Sequence, residues 1–236
     1  MVLWVRDIAP STQGEGLFAG LPVIILRMMT CNFKCSASEG GFNCDTFDTW
    51  KKGFLNPGRK LSVGSIVKEV LSYKTDYRDT VMLTGGEPLL WQGNSEFRDL
   101  IGRLYYHGIS THVETNGSFE VRDDVGRYID YFAISPKQTQ YKNYYKPEVV
   151  KSYFPYNHFW KFVIRTQENF NDVVEFLSKY NIPKTDKVFL MPEGITEEQL
   201  THSNETFITP NLITLQRLGY INIKTSERRQ IMEGFK

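Results

Sequence analysis

The stretch Val23-Ile-Ile-Leu-Arg-Met28 is a run of aliphatic and β-branched residues that ends just before a segment rich in cysteine. A short apolar run of this kind is typical of a buried strand. The segment 62–73 then carries apolar residues at helical spacing, and a second apolar run, 80–84, ends at Gly85-Gly86. The chain therefore begins its fold with a strand, a loop, a helix and a second strand.

This alternation of helices and strands continues along the chain. The predicted helices are 62–73, 96–106 and 170–179, with a last helical stretch within 196–218, and the predicted strands are 23–28, 80–84, 109–114, 129–134, 159–164, 187–190 and 220–223. Strands that alternate with helices are usually parallel and joined by right-handed crossovers. The pattern predicts an α/β fold, either a sheet or an incomplete barrel.

Polar segments follow four of the predicted strands. They are Cys31 after the first strand, 84–88 after the second, 114–117 after the third and 135–137 after the fourth. In a parallel α/β barrel the carboxyl ends of the strands meet on one face, where the loops build the active site. We expect these four segments to meet there.

Composition limits the classes of ligand. The chain has 236 residues, of which 41% are hydrophobic, and this length is sufficient for one domain, 1–236, with a full core. The 28 Lys and Arg residues nearly balance 27 Asp and Glu residues and are scattered, which argues against nucleic acid or an anionic membrane as partner. The longest apolar stretch, 21–26, is too short to span a bilayer, and the N-terminus lacks a signal pattern, so we expect a cytoplasmic protein that binds a small molecule.

The three cysteines all fall within 31–44, and an odd number in a reducing compartment argues against disulfides. Cys31 and Cys35 lie about one helical turn apart, and Cys44 follows after eight residues. Iron–sulfur clusters usually take four thiolates, so three would leave one iron free to bind a cofactor. The alternatives are a zinc site completed by one of the four histidines (His107, His112, His158, His202) and buried free thiols.

Other residues have both a functional and a structural interpretation. Arg27 ends an apolar strand, and its guanidinium needs either a substrate carboxylate or an internal acid such as Glu15 as partner. In the strand 109–114, Ser110, His112 and Glu114 share one face, so Glu114 is a candidate proton carrier. His112 is either its neighbour in that role or a satisfied core histidine.

A set of motifs in order along the chain carries a resemblance to a known family. The motifs are Ser11-Thr-Gln-Gly-Glu-Gly16, Arg27, Cys31-x3-Cys35, Cys44-Asp-Thr46, Thr84-Gly-Gly-Glu-Pro88, Glu114-Thr-Asn-Gly117, Ser135-Pro-Lys137 and Lys161-Phe-Val163. The cysteines and the Gly-Gly-Glu-Pro segment resemble the radical S-adenosylmethionine superfamily, and the whole set resembles its 7-carboxy-7-deazaguanine synthases. The sequence departs from that family in having eight residues rather than two between its second and third cysteines, in Met191-Pro192 where Gln-Pro is common, and in Gln230 near the place of a tail histidine.

The resemblance implies a fold, a reaction and cofactors. The fold would be the incomplete parallel (β/α) barrel of radical S-adenosylmethionine enzymes, with an enlarged cluster-binding loop 31–46 and a C-terminal tail 225–236 that closes the cavity. The reaction would convert 6-carboxy-5,6,7,8-tetrahydropterin to 7-carboxy-7-deazaguanine with loss of ammonia, in 7-deazapurine and queuosine biosynthesis, after a 5′-deoxyadenosyl radical has removed a hydrogen atom. The cofactors would be a 4Fe-4S cluster, S-adenosylmethionine and Mg²⁺, the reductant a flavodoxin or ferredoxin, and the assembly a homodimer.

The resemblance also assigns site residues. The cluster ligands would be Cys31, Cys35 and Cys44, the magnesium ligand Thr46 and the catalytic residue Glu114. Substrate would be bound by Thr12, Gln13, Gly14, Glu15, Arg27 and Thr84. The residues predicted to bind the cofactor S-adenosylmethionine would be Asn43, Asp45, Gly86, Ser135, Pro136, Lys137, Met191, Pro192, Glu193 and Gly194.

Two other functions remain as alternatives. A glycyl-radical-enzyme activase shares a three-cysteine cluster loop but acts on a protein, and it has no use for the 13–16 segment or for Asp45-Thr46. A non-catalytic zinc-binding module would use the same cysteines for structure alone.

Overall fold

The computed structural model describes residues 2–36, 44–50, 57–194 and 196–226. Predictions for residues 37–43 of the enlarged loop, which include Asn43, for Gln230 and for the tail beyond 226 lie outside the described residues. The described strands are Leu3–Thr12 (β1), Pro22–Met28 (β2), Arg59–Leu61 (β3), Thr80–Gly85 (β4), Ser110–Thr115 (β5), Tyr131–Ile134 (β6), His158–Ile164 (β7), Lys187–Pro192 (β8) and Asn222–Thr225 (β9). The described helices are Val63–Tyr73 (α1), Ser95–Tyr106 (α2), Asp123–Gly126 (α3), Gln138–Tyr141 (α4), Pro147–Lys151 (α5), Gln167–Lys179 (α6), Glu197–Ser203 (α7) and Leu212–Arg217 (α8).

The strands form one sheet in the order β3-β1-β2-β4-β5-β6-β7-β8-β9. The seven strands from β2 to β9 in this order pair in parallel, whereas β1 pairs antiparallel with both β2 and β3. Within the described residues the edge strands β3 and β9 do not pair with each other, so the sheet is not closed. The predicted α/β fold with an incomplete parallel barrel is confirmed.

The predictions missed the short helices α3, α4 and α5 as well as two strands. The predictions did not include β1 or β3, and β1 contains a register shift between Val5 and Asp7 that disturbs its alternation of apolar and polar residues. The predicted helical stretch 196–218 contains α7 and α8, but a π-turn and a 3₁₀ turn with Pro210 separate them. The last strand begins at Asn222, two residues later than predicted.

The longer helices begin at residues that satisfy free backbone N–H groups. Ser62, Asn94 and Thr166 each accept a hydrogen bond from the first turn of α1, α2 and α6 respectively, and Asn169 completes a capping box with Thr166. Each of these helices buries one apolar face in the main core. The caps and the apolar faces together explain why these segments form helices against the sheet.

Strand β7 shows how the two faces of the sheet differ. Trp160 and Phe162 point into the main core, together with the buried faces of the helices. Phe159 belongs to a separate small cluster, and Lys161 and Val163, which share its face by alternation, line a cavity. The inner face of the barrel thus has an apolar floor around Phe159 and a polar cavity above it. No helix in the described ranges has the length and apolar character needed to cross a membrane.

Candidate active site

A cavity of about 630 Å³ opens at the carboxyl ends of the parallel strands. Its wall includes residues from each of the four predicted polar segments: Cys31, Thr84 to Glu87, Glu114 to Asn116, and Ser135 with Lys137. Residues 10–15, at the end of β1 and in the loop that follows, and Met191 on β8 also line it. The structure therefore brings together groups that are more than 150 residues apart in sequence.

All three cysteines line this cavity and are half-buried, unpaired thiols. The backbone N–H of Phe33 donates to Cys31 Sγ at 3.4 Å, and Trp50 Nε1 donates to Cys44 Sγ at 3.4 Å. N–H donors at sulfur stabilise thiolates and are a feature of iron–sulfur sites. The residues present therefore fit a cluster with three thiolate ligands.

Burial disfavours the thiolate forms of Cys31 and Cys35. Burial and, secondarily, the nearby Glu87 carboxyl raise the pKa of Cys31 to about 12, and burial also raises the pKa of Cys35, although Lys137 opposes that rise. Metal ligation requires thiolates, so loading the site releases protons. The same burial that disfavours a free thiolate shields a cluster from solvent.

The zinc interpretation fits less well. All four histidines lie in described ranges, and none of them lines the cavity that holds the thiols. Within the described residues, moreover, no three His, Cys, Asp or Glu side chains form a group that could hold a metal ion. A cluster binds each thiolate to a different iron and therefore spaces its ligands more widely than one ion does.

Gly85 and Gly86 pack against the backbone of the loop that precedes the cysteines. A Cβ on Gly86 would lie 1.8 Å from the carbonyl oxygen of Thr30, and one on Gly85 would lie 2.7 Å from that of Met28. The N–H of Gly86 donates to Met28 O and that of Glu87 to Thr30 O, both at 2.9 Å. The glycine pair thus fixes the position of the cysteine loop as well as lining the cavity.

The inner part of the cavity holds a connected polar group. Glu114 Oε2 accepts from Thr84 Oγ1 at 2.8 Å, and its Oε1 accepts from Gln13 Nε2 at 3.3 Å and lies 3.5 Å from Lys161 Nζ. Lys161 Nζ also lies 2.8 Å from Glu15 Oε2. Of the predicted substrate residues, Thr84 and Gln13 therefore contact the carboxylate of Glu114 directly, and Glu15 is linked to it through Lys161.

Arg27 also lines the cavity, but its internal partner differs from the acid considered from the sequence. Arg27 Nη1 lies 2.9 Å from Asp7 Oδ1, because the antiparallel register of β1 and β2 places the two residues opposite each other. Glu15, the acid named as a candidate, pairs instead with Lys161. The Arg27 guanidinium still reaches the cavity wall, next to Thr84 in the β2–β4 register.

The predicted magnesium ligand lies between the cysteine loop and β4. Thr46 Oγ1 donates to Gly85 O at 2.8 Å and lies 3.6 Å from Cys44 Sγ. Because its proton is donated to a carbonyl, its lone pairs remain able to face a cation. Asp45 lines the same wall but is exposed.

The residues predicted to bind S-adenosylmethionine divide into two groups. Ser135, Lys137 and Met191 line the cavity, and Lys137 Nζ donates to Ser135 Oγ at 2.8 Å. Among the described residues predicted for this role, four do not line it: Pro136, Pro192, Glu193 and Gly194. Of the predicted substrate residues near the N-terminus, Thr12 and Gly14 line the cavity with Gln13 and Glu15.

His112 lies below Glu114 on the inner face of β5. Its ring centroid is 4.3 Å from that of Phe18, and burial lowers its pKa. The prediction of a buried histidine agrees with its 6% exposure, but within the described residues its Nδ1 has no hydrogen-bond partner. The ring therefore packs in the apolar floor of the barrel next to Phe18, and it differs from a core histidine whose two nitrogens are both hydrogen-bonded.

Several residues of the cavity region had no assigned role in the sequence predictions. Lys161, Asn116 and Asp7 contact predicted site residues, and Glu87 accepts hydrogen bonds from two loops. Lys161, Asn116 and Glu87 belong to motifs that carry the resemblance, but none of them was assigned an individual role from the sequence. Asp7 carried no signal, since acids in and near strands are common.

The fold and the three thiols beside a Gly-Gly loop define the class of protein. A family model described as the radical SAM superfamily matches residues 26–203, and the chain belongs to that superfamily. Its members use the 4Fe-4S cluster and S-adenosylmethionine that the sequence predicted.

Comparison with individual proteins narrows the family. A 7-carboxy-7-deazaguanine synthase from Pyrobaculum aerophilum is 31% identical over 197 residues, which are 83% of this chain and 81% of the relative. Another from Hyperthermus butylicus is 30% identical over 204 residues, or 84% of this chain and 80% of the relative. Within the superfamily, the chain belongs to the 7-carboxy-7-deazaguanine synthase family, which confirms the predicted resemblance.

A solved structure agrees with this placement at the level of the fold. The crystal structure of QueE from Escherichia coli superposes with a TM-score of 0.70 at 20% sequence identity, covering 96% of this chain and 94% of that one. The shared fold extends across nearly the whole of both chains.

Proposed function

We propose that this chain converts 6-carboxy-5,6,7,8-tetrahydropterin to 7-carboxy-7-deazaguanine with loss of ammonia, as a carbon–nitrogen lyase of 7-deazapurine and queuosine biosynthesis. The observation that carries the proposal is that one cavity is lined both by three thiols and by a connected polar group of Gln13, Thr84 and Glu114. This arrangement suits a cluster and a heterocyclic substrate held within reach of each other. The named relatives support the same reaction.

When bound, the cluster and S-adenosylmethionine supply a carbon radical that removes a hydrogen atom from the substrate. Cys31, Cys35 and Cys44 hold the cluster, while Gly86, Ser135 and Lys137 shape the wall where S-adenosylmethionine binds.

The remaining residues bind and orient the substrate. The Gln13 side-chain amide can both donate to and accept from the edge of a pterin, and Glu15 can accept from its N–H groups. Arg27 offers the substrate carboxylate a guanidinium that Asp7 already orients. Glu114, held by Thr84 and Gln13, is placed to carry a proton at the reacting ring.

The proposal has further parts. Mg²⁺ would be held by the Thr46 hydroxyl together with water and the substrate carboxylate, a set of hard oxygen ligands that magnesium prefers. A flavodoxin or ferredoxin would reduce the cluster, and the enzyme would act as a homodimer of single-domain chains in the cytoplasm. A reducing compartment suits both the free thiols and the reductant.

The test is anaerobic incubation with reductant, S-adenosylmethionine, Mg²⁺ and 6-carboxytetrahydropterin, with the product followed by mass. We expect a product with the mass of 7-carboxy-7-deazaguanine, together with ammonia. Absence of that product, with turnover of a protein substrate to a glycyl radical, would overturn the proposal in favour of an activase.

A further inference from the structure

Lys161 is a buried lysine on a strand face that is otherwise apolar. Its side chain is 9% exposed, and its neighbours on the same face of β7 are Phe159 and Val163. Burying an ammonium group is costly unless it is paired and hydrogen-bonded. The partners of Lys161 therefore explain why a lysine is tolerated at this position.

Those partners are two carboxylates from distant parts of the chain. The ammonium lies 2.8 Å from Glu15 Oε2, in the loop after β1, and 3.5 Å from Glu114 Oε1, near the end of β5. Each carboxylate also meets the cavity. Lys161 thus lies between Glu15, the acid proposed to bind substrate, and Glu114, the proposed proton carrier.

The segment that carries Glu15 is held against β7 at a second point. Gly16 has a φ of 71°, and a Cβ there would lie 2.8 Å from the ring of Phe159. Its N–H donates to Ser226 Oγ at 2.7 Å, next to the end of β9. The loop therefore crosses to the far side of the open sheet, and Lys161 fixes its acid directly above Phe159.

In the described part of the chain the Lys161 ammonium lies between two carboxylates and offsets most of their mutual repulsion. Carboxylates held in this way remain able to accept hydrogen bonds from the N–H groups of a heterocycle edge. Removal of the ammonium would leave two acids competing for the same small space.

We infer that Lys161 is a positioning residue of this site, which holds Glu15 and Glu114 together so that one binds the heterocycle while the other remains aimed at the reacting ring. The inference rests on the proposed function. It assigns Lys161 to neither the cluster nor S-adenosylmethionine, and so it predicts effects confined to the substrate side of the cavity.

The first test is Lys161→Met, which keeps the length of the side chain and removes its charge. We expect kcat for product to fall by about a hundredfold, the cost of misplacing groups at a reacting centre. The amount of 5′-deoxyadenosine formed per product should rise, while the iron content stays at the wild-type level. The matched control is Lys187→Met on β8, whose ammonium donates to Tyr131 outside the cavity and which should leave product formation unchanged.

Two further variants separate positioning from packing. Lys161→Arg keeps the charge and should retain at least about a tenth of the wild-type kcat, since one guanidinium can bind two carboxylates. Adding Glu15→Gln to Lys161→Met restores the wild-type net charge of the cluster. We expect this double variant to regain about tenfold in kcat over Lys161→Met with a KM that stays raised, because the acid that binds substrate is lost.

The outcomes distinguish this inference from the proposed function. If the wild type makes product but the double variant is no better than Lys161→Met, or if Lys161→Met lowers product and 5′-deoxyadenosine together with loss of iron, the positioning role is overturned alone. If the wild type itself makes no product, the proposed function fails. The thermal midpoints then test the cluster of Lys161, Glu15 and Glu114 without any need for product. Lys161→Met should lower the midpoint, and adding Glu15→Gln to that variant should raise it again. If each substitution instead lowers the midpoint and the two losses add, the cluster is overturned.

Discussion

Glu87 joins the two loops that surround the cysteines. It is fully buried, and it accepts hydrogen bonds from Leu89 N at 3.0 Å, Thr115 Oγ1 at 2.8 Å and Asn116 N at 2.7 Å. Asn116 in turn donates to Asn32 Oδ1, next to Cys31. One carboxylate therefore ties the ends of β4 and β5 to the segment that holds Cys31, the first proposed cluster ligand.

This burial makes Glu87 a source of pH dependence. Desolvation, only partly opposed by its hydrogen bonds, raises the pKa of Glu87 from 4.5 to about 7. The folded state therefore holds this proton more tightly than the unfolded chain does. The stabilisation that protonated Glu87 gives the folded state is fully present below about pH 4.5 and is lost as the pH rises to about 7. The loss in the free energy of unfolding is on the order of 3 kcal/mol.

We predict that Glu87→Gln flattens the decline of the thermal midpoint between pH 5 and pH 8, because the variant has no proton to lose. The measurement is the midpoint of the anaerobic protein across that range. Glu120→Gln, at an exposed position, is the control and should keep the wild-type slope. An unchanged slope in Glu87→Gln would assign the pH dependence to another group.

At the scale of elements, the contact between the β4 loop and the β2 loop decides where the cysteines lie. Gly86 approaches Thr30 so closely that any side chain would displace one of the two loops. Gly102, in α2, provides a contrast, since in the described part of the chain an added Cβ would meet no atom within 4 Å apart from its chain neighbours and the backbone of its own helix. The same substitution to alanine should therefore disturb the loop contact at Gly86 and leave the surroundings of Gly102 unchanged.

We predict that Gly86→Ala lowers product formation by roughly a hundredfold or more, because a displacement of about 1 Å at a reacting centre has that effect. Its iron content per chain should fall as well, since the cysteine loop must move. Gly102→Ala should keep full activity and stabilise the helix by up to about 1 kcal/mol. Wild-type iron and activity in Gly86→Ala would show that the loop contact does not position the cysteines.

The elements also show what could be predicted from the sequence. Strands β2, β4, β6, β7 and β8 were predicted because buried parallel strands are nearly continuous apolar runs. Strand β5 was predicted from the alternation of its two faces, one of which is polar. Strand β1 was not predicted, because Arg6, Asp7 and Pro10 interrupt its apolar residues and its antiparallel pairing needs no such run. The polar residues that follow these strands could also be predicted as site residues, because the carboxyl ends of parallel strands meet on one face.

Contacts between distant segments could not be predicted in this way. The pairing of Arg27 with Asp7 depends on a strand register, and that of Lys161 with Glu15 joins residues 146 positions apart. Neither register nor loop path can be inferred from residue spacing. The sequence supplied the charged groups, and the fold determined their partners.

At the scale of the whole molecule, the open sheet brings the proposed cluster ligands and the proposed substrate residues into one cavity. The parallel strands contribute residues from their carboxyl ends, and the loop after β1 reaches β7 and Ser226 near the far edge of the sheet. Three thiols and the carboxylates of Glu15 and Glu114 therefore line the same space. Under the proposed function, this space holds both the source of the radical and its substrate.

The measurement that tests this account most directly is electron paramagnetic resonance of the reduced, anaerobically purified protein before and after addition of S-adenosylmethionine. We expect about four irons per chain, a reduced 4Fe-4S signal that changes on addition of S-adenosylmethionine, and loss of both iron and signal in Cys44→Ala. A colourless protein with zinc, or a Cys44→Ala variant that keeps the cluster and its response, would contradict the three-thiolate site.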